Sequence, residues 1–135
     1  MAEPTMLEPQ GLSAPVGLYS HVTRVPAGEL LFVAGQVALD EDGDVVGEGD
    51  FEAQMRQVFH NLERALVAGG GGFRNVAKFT TYLARADDVK EFYRVRRDLF
   101  GSLFPTGRYP ANTLLVVDRL VSPDLLIEVE AVAAV

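Results

Sequence analysis

Two periodicities divide the chain. From residue 50 the stretch "DFEAQMRQVFHNLERALVAGGGG" places Phe51, Met55, Val58, Phe59, Leu62 and Leu66 at three- and four-residue spacing, the signature of one apolar helix face. Asp50 is a ready N-cap and Gly69 a ready stop, so a helix over 51–68 is predicted. A second helix is predicted after Asp87, with Val89, Phe92, Tyr93, Leu99, Phe100 and Leu103 on its apolar side. Strand character fills 19–25, 30–39, 73–84, 113–121 and 125–133. "PAGE" (26–29) reads as a hairpin turn between the first two strands, and "SPD" (122–124) as a short turn between the last two. The order ββαβαββ predicts an α+β fold of two layers, both helices on one face of the sheet.

The other face then needs an explanation. Near the end of the chain Ile127, Val129 and Ala131 alternate with Glu128, Glu130 and Val132; Leu31, Val33 and Gly35 alternate with Phe32, Ala34 and Gln36. Both faces carry apolar residues, and a monomer seldom leaves such a patch in water, so self-association is expected. At 135 residues one domain is the simplest division: a flexible, acidic and Pro-rich arm over 1–13, then a single domain over 14–135.

Composition narrows the chemistry. The chain has no cysteine, which excludes disulfides, thiolate metal sites and a Cys nucleophile. No apolar run approaches the ~20 residues of a membrane helix, and the N-terminal stretch lacks the basic-then-apolar form of a signal peptide. A cytoplasmic location with no membrane partner is expected. Net charge is −7, and the Arg94, Arg96, Arg97 group sits among Asp87, Asp88, Glu91 and Asp98. That group reads as a solvated, ion-paired helix face, so nucleic acid is disfavoured as a partner. The acidic loop "DEDGDVVGEGD" (40–50) lacks the spacing of a calcium loop, and the glycines at 69–72 follow a helix with no Gly-Lys-Ser/Thr after them, unlike a phosphate loop. His21 and His60 are the only histidines and have no partner carboxylates at ligand spacing, so no metal site is predicted.

What remains is a dispersed polar set: Tyr19, Ser20, Gln36, Asn112, Thr113, Glu128 and Glu130. Each has a structural explanation on its own. Together, at strand ends and on one sheet face, they are expected to line a pocket.

Six segments in register carry a resemblance: "GLYSHV" (17–22), "LLFVAGQVALD" (30–40), "AQMRQVFHNLERAL" (53–66), "NVAKFTTYLARADD" (75–88), "YPANT" (109–113) and "LLIEVEAVAA" (125–134). In this order they resemble the RidA/YjgF family, formerly labelled endoribonuclease L-PSP, over about residues 14–134. The resemblance implies a chorismate-mutase-like fold, a homotrimer with a central barrel, and small-molecule clefts between subunits. It implies hydrolytic deamination of reactive enamines or imines without metal or organic cofactor. By position, Tyr19 matches the cleft tyrosine, Gly35 a ligand-contacting glycine, and Glu128 the acidic residue that orients or activates water. Ala34 stands where many members have serine, and Thr113 adjoins the site.

Asn112 stands where the family has the arginine that binds the substrate carboxylate. An amide cannot make a bidentate, charged pair, and losing such a bond costs about ten- to a hundredfold in affinity. Arg108, four residues upstream, is the candidate to supply the charge instead; Arg119, seven residues along the strand, lies about 23 Å away. The expected function is therefore a cofactor-independent hydrolase whose substrate is not a simple imino acid. The alternative is a non-catalytic trimer that binds a metabolite, and an endoribonuclease or translation inhibitor ranks last.

Overall fold

The structure, a computed structural model, describes residues 3–26 and 28–135. Its elements are β1 (Thr5–Leu7), β2 (Val22–Arg24), β3 (Leu30–Gln36), α1 (Phe51–Ala68), β4 (Val76–Leu83), α2 (Val89–Leu103), β5 (Ala111–Val116) and β6 (Ile127–Ala134). Four strands form one mixed sheet in the order β3-β6-β4-β5, with β6 antiparallel to both neighbours and β5 parallel to β4. Both helices pack on one face, so the α+β expectation holds.

α1 forms as its local signals dictate. The Asp50 carboxylate accepts the Ala53 N–H at 3.1 Å, and the Gly69 N–H closes the last turn on the carbonyls of Ala65 and Leu66. Phe51, Met55, Val58, Phe59, Leu62 and Leu66 are all buried. They join Phe73, Phe79, Phe100 and Phe104, whose rings meet edge-on or tilted at centroid distances of 4.8–6.4 Å. Offset aromatic contacts of this kind add to the burial of apolar area that holds the two layers together. α1 also buries one polar residue, Gln54. Its Nε2 donates to the carbonyls of Gly47 and Asp124, and its Oε1 accepts the Leu126 N–H, which ties α1 to the loop before β6.

Strand pairing departs from the sequence reading in two places. No hairpin joins the first two predicted strands: β2 pairs with β1, inside the segment expected to be a loose arm, and β3 pairs with β6. Ala27 of the expected turn lies outside the described residues. The last two strands are not partners either, because β4 lies between β5 and β6. β5 stops at Val116, well short of the predicted 121. In both places the turn signals are genuine local breaks, but local breaks do not choose the partner strand. The second helix begins at Val89, after a single 3-10 turn over Ala86–Asp88.

The open face of the sheet carries exposed Leu30, Phe32 and Leu115. Phe32 is 76 % exposed, an unusual state for a strand phenylalanine. Among the described residues no helix is long and apolar enough to cross a membrane.

Candidate functional site

Alternation along β5 forces a division that the sequence reading had not drawn. Asn112 and Thr113 are neighbours in a strand, so they point to opposite faces. The ladder assigns the sides. Asn112 is level with buried Phe79, and the buried Thr81 hydroxyl donates to Asn112 Oδ1 at 2.9 Å, so Asn112 faces the helices. Thr113 is level with Thr80, and Thr80 with Glu130, on the open face. The predicted polar set therefore does not share one face.

On the open face the centre is Glu128. β3 opposes β6 regularly from Leu30 to Val33, and then one extra residue is accommodated before Gln36 meets Val129. This bulge holds Ala34 and Gly35, and bulges of this kind re-aim side chains. The Glu128 carboxylate lies directly against the Gly35 α-carbon, so that a β-carbon there would collide with it. Glycine at 35 is what lets the carboxylate lie here; a side chain at this position would make Glu128 swing away. Glu128 is half-buried, and burial, reinforced by the charge of Glu130, holds its carboxyl above the usual carboxylate range. Glu130 itself accepts the Tyr82 phenol proton at 2.5 Å, a bond that raises the Tyr82 pKa. Exposed Ala34 and Thr113 flank this patch.

On the helix side, Tyr19 is brought to Asn112 by a short run of polar contacts. The Ser20 hydroxyl donates to the Tyr109 carbonyl at 2.6 Å and the Ser20 N–H to Pro110, while the Ala111 N–H donates to the Thr23 hydroxyl at 2.9 Å. Segment 19–23 is thereby stitched to the start of β5. Tyr19 then lines a cavity of about 210 Å³ with Val16, Tyr93, Arg96, Asn112 and Leu114. A separate cavity of about 500 Å³ holds Tyr19, Ser20, His21 and Arg108. Arg108 is exposed and lines that second cavity, not the one that holds Asn112. His21 donates from Nε2 to the Ser13 carbonyl at 2.6 Å. His60 is exposed and lines a broad groove with Gly35, Gln36 and Asn61. Asp40, Asp42 and Asp44 lie close together on an exposed turn, where Asp40 Oδ1 accepts the backbone N–H groups of Asp42 and Asp44.

The residue that sequence reasoning missed is Arg96. Arg94 fits the expected ion-paired surface, since it reaches Glu52 and Glu91 at 2.6 Å and Asp98 at 3.5 Å. Arg96 does not. It is 2 % exposed, with its guanidinium over the rings of Phe92, Tyr93 and Phe100. The signal was present: positions 92, 96 and 100 are four apart and share one helix stripe.

These features match a known pattern. The model of the family described as endoribonuclease L-PSP matches residues 11–135. The chain belongs to this family, the RidA/YjgF family. A RutC family protein of Synechocystis is 38 % identical over 121 residues, covering 89 % of this chain and 88 % of that one. The 3-aminoacrylate deaminase RutC of Acinetobacter baylyi is 34 % identical over 127 residues, 94 % of each. Among solved structures, the Rid-family protein YyfB of Yersinia pestis superposes with a TM-score of 0.85 at 29 % identity, covering 98 % of this chain and 99 % of that one. Within this RidA/YjgF member the carboxylate patch and the Asn112 cavity lie on opposite faces of a single sheet.

Proposed function

We propose that this RidA-family chain hydrolyses a reactive enamine or imine to the corresponding carbonyl compound and ammonia, in clefts between the subunits of a homotrimer. The observation that carries the reading is Glu128: a half-buried carboxylate seated on a glycine that leaves it room, on a face lined by exposed apolar residues. Packing of that face against a second copy would bury Phe32 and Leu115 and would set Glu128 of one subunit near the Tyr19–Asn112 region of the next. The likeness to the 3-aminoacrylate deaminase RutC supports the reaction class.

The chemistry asked of the chain is modest. Glu128 takes a proton from water as the water oxygen bonds to the imine carbon. That proton goes to nitrogen, giving a carbinolamine; the carbinolamine hydroxyl proton then passes to the same nitrogen, the C–N bond breaks, and ammonia leaves as the carbonyl forms. One positioned carboxylate supplies about 10²–10⁴-fold. Tyr19 and Asn112 hold the substrate, with Thr113, Ala34 and the Gly35 backbone beside the reacting carbon. Asn112 offers no charge to an adjacent carboxylate, so the substrate is not a simple imino acid held in the family manner.

The test is ammonia release from freshly generated imines, with semicarbazide trapping the remainder. Wild type should accelerate release and Glu128→Gln should lose about 10²–10⁴-fold of it. Because the Glu128 pKa is raised, the base form, and with it the rate, should appear only as pH rises above the ordinary carboxylate range. No acceleration by a protein that sediments as a trimer would leave the binding-module reading, which Asn112 favours.

A further inference from the structure

We propose that Arg96, projecting from α2, is the anion receptor of this site, so that the ligand carries a small carboxylate directed to the helix side of the sheet. This deepens the functional reading above by naming a charged group of the ligand, and it rests on that reading only for what the ligand becomes.

A buried guanidinium is expensive unless something answers its charge and its five N–H donors. Arg96 is nine-tenths buried and more, yet its Nε and Nη2 have no hydrogen-bond partner. No carboxylate of the described residues pairs with it, although the chain has 19 acidic residues against 12 basic. Its neighbours are the rings of Phe92, Tyr93 and Phe100 at 4.8, 5.1 and 6.0 Å from the guanidinium carbon. The rings hold the cation in place and leave Nε and Nη2 without a hydrogen-bond partner. Gly17 allows the backbone to lie against Nη2, where any β-carbon would collide. Burial pushes the guanidinium pKa down to about 10, with the Tyr93 and Tyr19 phenols opposing, so at neutral pH the group remains a cation with an unmet demand for an anion.

The cavity beside it suits one kind of anion. Its 210 Å³ is about seven waters' worth of volume, enough for a carboxylate and a short carbon chain. Asn112 Oδ1 is taken by the Thr81 hydroxyl, which leaves the amide Nδ2 as a donor, and Tyr19 adds a phenol. Val16 and Leu114 supply the apolar wall. The charge that the family resemblance places at position 112 is thus provided from the helix beneath it. The ligand's carboxylate is then displaced from the reacting carbon relative to an imino acid.

The probe pair is butyrate and its neutral isostere butyramide, titrated into the full-length protein and followed by amide shifts near Gly17 and Asn112. Wild type should prefer butyrate by about ten- to a hundredfold. Arg96→Met should lose that preference while still binding butyramide, and Arg96→Lys should keep a weaker one. Asn112→Asp, on partly exposed β5, should abolish butyrate binding by pairing with Arg96 internally, and it reads the same contact if Arg96→Met fails to fold. Equal binding of the two probes by wild type overturns the proposal, as does a preference that survives in Arg96→Met or in Asn112→Asp. Carboxylate preference without imine turnover would support Arg96 and sink the hydrolase reading; turnover without the preference would do the reverse.

Discussion

Arg94 and Arg96 stand two residues apart on α2 in opposite circumstances. Arg94 lies in water and touches three carboxylates; Arg96 lies in the core, and no carboxylate of the described residues pairs with it. Their partners raise the pKa of one, and burial lowers that of the other. The better-paired arginine is the less informative, because exposed ion pairs are cheap to make and to lose. An unpaired buried cation has no such explanation, and function is the natural place to seek one. Gln54 sharpens the contrast, being as buried as Arg96 but with all its contacts answered by backbone.

The largest effect is expected at Gln54. Gln54→Leu strands the Leu126 N–H and the carbonyls of Gly47 and Asp124, and should cost about 2–4 kcal/mol in urea unfolding. A loss well below this would mean that water or loop movement satisfies those groups, and that buried polar atoms here are cheap. Arg96→Met comes next. It removes the stacking on three rings but also the desolvated charge, so stability should move by only about 1 kcal/mol in either direction. A loss as large as that of Gln54→Leu would make Arg96 a structural residue and erase the contrast. The smallest change belongs to Arg94→Ala, whose urea midpoint should stay within error of wild type, with any difference vanishing at high salt.

The sequence disclosed this molecule unevenly. α1 was legible to the residue, since Asp50, the apolar stripe and Gly69 all act within a turn or two of themselves. The partners of β2, β5 and β6 were not, since "PAGE" and "SPD" mark where strands end and not what they pair with. Of the site, Glu128 and Gly35 were visible through the family resemblance, and their contact across the bulge gives a physical reason for the glycine. The opposite facing of Asn112 and Thr113 follows from strand alternation alone. Arg96 was hidden by company: read with Arg94 and Arg97 it belongs to a charged run, whereas read with Phe92 and Phe100 it belongs to the core.

The placement of β6 has a consequence for biosynthesis. It comes after every other described strand in the sequence, yet it sits between β3 and β4, which have no hydrogen bonds to each other without it. A chain leaving the ribosome can form α1, and can join β4 to β5, but the sheet stays split until residues 127–134 are free to insert. Until then one edge of β3 and one edge of β4 are unpaired and open to any neighbouring chain. The chain before β6 inserts, more than the finished sheet, is the state that exposes strand edges to aggregation.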